Sequence, residues 1–127
     1  MRTVLGGPGE ARGRRQISQK YLEVAGTADS GSTAAANNVV VGLAVLADIA
    51  AADAICLAAR GERYSGPDHG EAAQLLRSVD VALAGELAKL VRLKPAAHYG
   101  HQLLTDSQRK QALRSAGKLV AAATERT

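Results

Sequence analysis

The chain has few aromatic residues, one cysteine and little proline. Phe and Trp are absent, and Tyr occurs three times among 127 residues, of which 46% are hydrophobic. The core must then be built from Ala, Leu, Val and Ile, which suits closely packed helices better than a β-sandwich. A single Cys56 excludes an internal disulfide, and a buried free thiol suits a reducing cytoplasm. A chain of this length is most simply one domain.

The hydrophobic pattern predicts an all-α fold. Residues 1–11 have no periodicity and contain three glycines and Pro8, so we expect a disordered basic arm. Segments with helical periodicity follow at 12–28, 33–60, 68–94 and from 105 onward. Pro95 ends the third segment. The expected architecture is an up-down-up-down four-helix bundle, with residues 12–127 forming one helical domain.

The second predicted helix is apolar on nearly all sides. It nevertheless contains Asp48 and Asp53, and each would cost roughly 2.5–3.5 kcal/mol at the centre of a bilayer. We therefore expect a buried central helix and not a membrane span. Each Asp should have an ion-pair or hydrogen-bond partner, because an unpaired buried carboxylate is costly. The apolar run at the N-terminus is too short for a signal peptide, which also favours a cytoplasmic location.

The charge balance permits an acidic partner. The formal net charge is +4, and much of the excess lies in the first twenty residues. Those residues contain five basic side chains, Arg2, Arg12, Arg14, Arg15 and Lys20, against Glu10 alone. A basic arm that contacts RNA and a solvated tail that aids solubility are both compatible with this pattern.

The junction after the third predicted helix holds the most reactive set of side chains. Arg92, Lys94, His98, Tyr99 and His101 lie within ten residues. Cations beside a titratable His can hold a phosphate and move a proton. The plainer alternatives are that His98 is a surface or capping histidine and that Tyr99 is an apolar lid at the end of the bundle. Arg92 and Lys94 would then only complement the helix C-terminal dipole.

These features resemble a HEPN domain over about residues 12–124. HEPN proteins are small all-α domains, usually dimeric, and many are metal-independent ribonucleases of toxin–antitoxin or defence systems. Their motif is an Arg, four to six residues, and then a His, which Arg92 and His98 satisfy. The resemblance implies that Arg92 holds the scissile phosphate. It also implies that His98 activates the RNA 2′-hydroxyl or protonates the leaving oxygen, giving a 2′,3′-cyclic phosphate.

A second pair has the same spacing. Arg63 and His69 are also separated by five residues, so spacing alone does not choose, and the position after the third helix favours Arg92 and His98. The alternative for the 63–69 segment is a helix cap with a solvated His. One helix from Asp68 to Arg92 would be about 37 Å long. The two sites would then lie at opposite ends of the bundle and could meet only across an antiparallel dimer.

The junction departs from the common HEPN motif in one respect. Leu93 follows Arg92, where active members commonly have a polar residue. The segment Leu93–Tyr99 is similar to a HEPN-like subgroup with the pattern Leu-Arg-x-x-Ala-Asp-Tyr, with Lys94 for the Arg and His98 for the Asp. Members of that subgroup need not be nucleases. HEPN domains can also have an acidic residue on the second helix that orients the catalytic Arg, and Asp48 and Asp53 are both candidates.

Two functions follow from the resemblance. The first is a homodimeric HEPN ribonuclease, the toxin of a bacterial pair, that cleaves RNA such as tRNA without a metal or cofactor through Arg92 and His98. The residues expected to bind RNA or support that pair are Lys94, Tyr99, His101, Arg63, His69 and Asp53. The alternative is a non-catalytic module that binds a nucleotide or a partner protein such as a nucleotidyltransferase-like antitoxin. A third interpretation, separate from these two functions, is a structural helical bundle that binds no ligand.

Overall fold

The computed structural model describes residues 1–29 and 33–127. Within these ranges the chain forms two short strands and six helices. In chain order they are β1 Thr3–Leu5, α1 Pro8–Ala28, α2 Ala34–Arg60, β2 Glu62–Tyr64, α3 His69–Arg77, α4 Val81–Val91, α5 Lys94–His98 and α6 Asp106–Arg126. The all-helical class predicted from the sequence is confirmed. Most of the predicted loop that joins the first two helices, at residues 30–32, lies outside the described residues.

Helix α2 is the centre of the molecule. It packs against the five other helices and against β2. It is long and apolar enough to cross a membrane by length and composition, but a core helix passes the same test, and 78% of its most apolar window is buried inside the fold. Cys56 is buried here, and burial raises the pKa of its thiol to about 12. Gly61 ends the helix in the left-handed conformation, with φ of 70°.

The N-terminal segment is ordered by pairing with a distant strand, where the sequence predicts a disordered arm. Strand β1 is antiparallel to β2, with Thr3 opposite Tyr64. The Gly6 N–H donates to the Gly61 carbonyl oxygen at 2.9 Å, and a Cβ on Gly6 would lie 2.7 Å from Leu57 Cδ2. Gly6, one of the three glycines that suggest disorder, thus permits a close approach to α2. Local periodicity cannot indicate a pairing between segments about 60 residues apart.

The third predicted helix, 68–94, is divided. Ser78 Oγ donates to the Leu75 carbonyl oxygen at 2.6 Å where α3 ends, and Asp80 caps α4 by accepting from the Leu83 N–H at 3.0 Å. Arg126 of α6 holds the same Asp80 carboxylate at 2.7 Å. The apolar pattern continues through this break and hides it. Helices α3 and α4 pack against each other, which brings the start of α3 close to the end of α4.

The segment after α5 is tied to the start of α2. Asn37 Nδ2 donates to the Leu104 carbonyl oxygen at 2.9 Å, and Asn38 Oδ1 accepts from the Leu104 N–H at 2.8 Å. Thr105 and Gln108 then form the capping box of α6, as the sequence predicts. These bonds fix the position of α5, which lies along α2.

The two aspartates of α2 differ in their partners. Asp53 pairs with Arg14 of α1 at 3.0 Å, which confirms the expected ion pair. Asp48 is fully buried, and among the described residues neither of its carboxylate oxygens has a hydrogen-bond partner, so that expectation is wrong. Burial raises the pKa of Asp48 well above its ordinary value, and the nearby charge of Glu86 raises it further. Asp48 is therefore accommodated as a neutral acid and not as half of an ion pair.

We expect Asp48→Asn to stabilise the fold at pH 8 and to have less effect at pH 4. The folded acid holds its proton more tightly than the unfolded chain, whose ordinary pKa is 3.8. The stability of the wild type therefore falls as the pH rises above 3.8 toward the raised pKa, by up to about 1.4 kcal/mol per pH unit. Urea unfolding at pH 4, 6 and 8 measures this difference.

The control for this prediction is Glu125→Gln, because Glu125 is exposed on α6. This variant should follow the pH profile of the wild type. A constant difference between Asp48→Asn and the wild type across the three pH values would contradict the buried neutral acid.

Candidate functional site

His98 packs against α2. Its Nε2 lies 3.2 Å from the carbonyl oxygen of Gly42, and a Cβ on Gly42 would lie 2.8 Å from His98 Cδ2. The ring borders an open, mostly apolar groove that is lined by Asn38, Val39, Gly42, Leu43, Leu46 and Ala97. The absence of a side chain at Gly42 is what admits the imidazole. His98 is thus held by packing and by one hydrogen bond to the main chain.

Arg92 lines a different cavity. It is exposed at the C-terminal cap of α4, and its Nε donates to the Ala88 carbonyl oxygen at 3.2 Å. The cavity has a volume of about 280 Å³ and is lined by Lys89, Leu90, Leu93, Gln108, Gln111, Ala112 and Ser115. The Arg92–His98 pair indicated by the motif is therefore not gathered in one cavity. His101 is exposed beyond α5 and lines none of the cavities described here.

Arg63 and His69, the other pair with this spacing, do line one cavity. We call it the Asp53 pocket, and its volume is about 210 Å³. Arg63 lies on β2, and His69 is the first residue of α3. The pocket is lined by Arg14, Ile49, Asp53, Arg63, Tyr64, Ser65, Gly66, His69 and Ala72. The turn between β2 and α3 thus brings the arginine and the histidine to the same place.

A partly buried ion pair lines the Asp53 pocket. Asp53 Oδ2 accepts from Arg14 Nη2 at 3.0 Å and from Arg14 Nε at 3.2 Å. Burial raises the pKa of Asp53 to about 6, and the charges of Arg14 and Arg63 oppose that rise. Of the two aspartates on the second helix, Asp53 is the one that lies beside arginines.

Tyr64 holds the turn that carries His69. Its ring is buried, and its hydroxyl accepts from the Asp68 N–H at 2.9 Å. The Asp68 carboxylate in turn accepts from the Gly70 N–H at 2.9 Å and caps α3. These two bonds fix the backbone on the N-terminal side of His69, and they limit where the imidazole can lie.

His69 also lines a second cavity, which we call the His69 groove. The groove has a volume of about 260 Å³ and is lined by Pro67, Asp68, His69, Gly70, Val91, Lys94, Pro95 and Tyr99. The α3–α4 packing creates it, so one chain brings Asp68 and His69 of one set together with Lys94 and Tyr99 of the other, which the continuous third helix would separate. The expectation that they meet only across a dimer is wrong for this reason.

The surroundings of His69 favour the neutral form of its imidazole. Its Nδ1 is buried, and among the described residues it has no hydrogen-bond partner. Burial lowers the pKa of His69, the charge of Lys94 lowers it further, and Asp68 opposes both effects. The residue as a whole is partly exposed, and a neutral imidazole that is partly exposed can accept a proton near pH 7.

Two cations flank His69 without a carboxylate partner. Within residues 1–29 and 33–127, neither Arg63 in the Asp53 pocket nor Lys94 in the His69 groove forms an ion pair. Lys94 Nζ lies 5.7 Å from the centre of the Tyr99 ring. Unpaired cations on either side of an imidazole form a site suited to an anionic ligand such as a phosphate.

The sequence contains no evident signal for the role of Arg14. It lies in a basic run of α1, and only the packing of α1 on α2 places it beside Asp53.

Throughout the described part of the chain, no three His, Cys, Asp or Glu side chains are grouped so that they could hold a metal ion. Comparisons with protein-family models, with curated proteins and with solved structures gave no match.

We expect Arg14→Met to raise the pKa of Asp53 above about 6 and to destabilise the fold more at pH 8 than at pH 5. Asp53 is mostly protonated at pH 5 in both proteins, whereas at pH 8 the variant must bury a carboxylate that has lost its ion-pair partner, or keep its proton. The free energy of unfolding at pH 8 should fall by about 3 kcal/mol. This is the low end of the range for breaking a buried ion pair, because Arg14 is partly exposed. Urea unfolding at both pH values gives the stability, and carboxyl ¹³C NMR gives the pKa.

Arg12→Met is the matched control, since Arg12 is exposed on the same helix. It should cause a small change that does not depend on pH. An equal loss at pH 5 and pH 8 in Arg14→Met would show that Arg14 acts through packing and not through the charge of Asp53.

We also expect Gly42→Ala to destabilise the protein by about 1–3 kcal/mol, because the new methyl group would overpack against the His98 ring. In a His98→Ala background the same change should stabilise by up to about 1 kcal/mol, the helix preference of Ala over Gly. Urea unfolding of the four proteins completes a double-mutant cycle. If Gly42→Ala has the same effect in both backgrounds, His98 does not pack on Gly42.

Proposed function

We propose that this protein is a HEPN-type, metal-independent ribonuclease whose Arg and His are Arg63 and His69. The observation that carries the proposal is that this pair lines one cavity, whereas Arg92 and His98 line two. The spacing of the HEPN motif is the same in both pairs. Asp53 on α2 supports the assignment as the acidic residue beside the arginine, and the cationic surroundings of His69 suit a phosphate.

In this proposal His69 acts as the general base. The neutral imidazole takes the proton of the RNA 2′-hydroxyl, and the 2′-oxygen attacks the adjacent phosphorus. The bond from phosphorus to the 5′-oxygen breaks, and the imidazolium that has formed returns its proton to that oxygen. The products are a 2′,3′-cyclic phosphate and a 5′-hydroxyl, so no metal or redox partner enters the balance.

The cations on either side of His69 have distinct roles. Arg63 holds the non-bridging oxygens of the scissile phosphate and stabilises the charge that develops on them, and Lys94 in the His69 groove holds a neighbouring phosphate. Asp53 and Arg14 act on Arg63 through the electric field of their ion pair, because the charge of Arg63 is close enough to affect the pKa of Asp53. The lowered pKa of His69 extends the active, neutral form to pH values below its ordinary value of 6.5.

We expect the wild type to cleave total tRNA in excess EDTA and to leave cyclic phosphate ends. His69→Ala should lose at least about 100-fold of the rate, the scale of general base catalysis. Arg63→Ala should also lose activity, because the phosphate loses a charged donor. Analysis of fragment ends and initial rates by gel measures both effects.

His98→Ala and His101→Ala are the matched histidine controls, and each should keep the chemistry of cleavage. Loss of cleavage in His98→Ala with full activity in His69→Ala would return the assignment to Arg92 and His98. Equal cleavage by every variant would indicate a contaminating nuclease. If no protein cleaves, the nuclease is overturned in favour of a non-catalytic binding module.

A further inference from the structure

Tyr99 exposes an aromatic ring at the edge of the His69 groove. The ring is 80% exposed, whereas Tyr64 is buried and Tyr21 is partly buried, and the chain has no Phe or Trp. Among the described residues, the one strongly exposed aromatic ring of Phe, Tyr or Trp therefore lines the same groove as the unpaired Lys94 and His69. This placement brings a stacking surface, a cation and a base into one groove.

The Tyr99 ring is held in position by its neighbours. The ring of His98 meets it edge-on, at 89° and with 6.0 Å between the ring centres, and His98 is itself held against Gly42. The Tyr99 N–H donates to the Pro95 carbonyl oxygen at 2.9 Å, which ends α5. Lys94 is the first residue of the same short helix, and its Nζ lies over the ring, 5.7 Å from the ring centre. An aromatic ring with restricted orientation stacks with little loss of entropy on binding.

We infer that the His69 groove binds single-stranded RNA, with one base stacked on Tyr99 and a neighbouring phosphate at Lys94. This rests on the proposed function, because it assigns the substrate class of the same site. A base inside a duplex is already stacked and cannot reach a ring at the surface, whereas an unpaired base can. The groove therefore selects unpaired segments, such as loops, over helical RNA.

The test is the binding of a fluorescently labelled RNA 12-mer of mixed sequence, measured by anisotropy. The 2′-hydroxyls are replaced by fluorine, which prevents cleavage, and the same strand annealed to its complement serves as the duplex. The variants are Tyr99→Phe, which keeps the ring, and Tyr99→Leu, which keeps an apolar side chain without a ring. Urea unfolding checks that each variant is folded.

We expect the wild type to prefer the single strand to the duplex. Tyr99→Phe should bind the single strand as the wild type does, whereas Tyr99→Leu should bind it about 5- to 150-fold more weakly, the effect of losing one stacked base. Duplex binding should be the same in all three proteins. Lys94→Gln should weaken single-strand binding and reduce its dependence on salt.

Three results would overturn the inference. They are equal binding by Tyr99→Leu and the wild type, equal affinity for single strand and duplex, and no binding of the single strand by the wild type at low salt. The tRNA cleavage assay separates this inference from the proposed function. If the wild type cleaves tRNA and Tyr99→Leu binds the single strand as well as the wild type does, the nuclease is supported and the stacking site is refuted. If binding depends on Tyr99 but no cleavage occurs, the RNA-binding groove is supported and the nuclease is refuted.

Discussion

Burial of α2 by the five other helices is the interaction on which the rest of the structure depends. Its side chains are mostly Ala and Val, so neighbouring helices can approach closely, and the core gains stability from many small contacts. Helix α2 also contributes residues to the candidate site and to its surroundings. Asp53 lines one pocket, Gly42 receives His98, and Asn37 and Asn38 fix the segment that follows α5. The helix accommodates Asp48 as a neutral acid, because among the described residues neither carboxylate oxygen has a partner and the pKa is raised both by burial and by Glu86.

The break between α3 and α4 determines the composition of the site. A continuous helix would separate His69 from Lys94 and Tyr99 by its whole length, whereas the capped turn at Asp80 reverses the chain and makes them line one groove. The same turn is held by Arg126 from the end of α6. The site therefore combines α1, α2, β2, α3 and α5 within a single chain, and the stability of a remote cap contributes to its geometry.

The sequence predicts those features that depend on neighbouring residues. The all-α class, the extent of α2, its end at Gly61 and the capping box at Thr105 follow from periodicity and from local hydrogen bonding. The features it does not predict depend on distant contacts. The pairing of β1 with β2, the partner of Asp53 and the free state of Asp48 are examples. The break at Ser78–Asp80 is an intermediate case, because its cap residues are visible in the sequence but the apolar pattern runs through them.

The two arginine–histidine pairs show why motif spacing alone does not identify a catalytic site. Arg63 and His69 are six positions apart, and they line one cavity because the chain passes from a strand through a turn to the start of a helix between them. Arg92 and His98 have the same spacing but line different cavities, because Arg92 is at the end of α4 and His98 packs on α2. His98 nonetheless touches Tyr99 and limits its orientation. Its removal should then weaken RNA binding and raise KM while kcat is kept, whereas removal of His69 should lower kcat. The division between these two constants, and not loss of activity alone, distinguishes the residue that moves the proton from the one that positions the substrate.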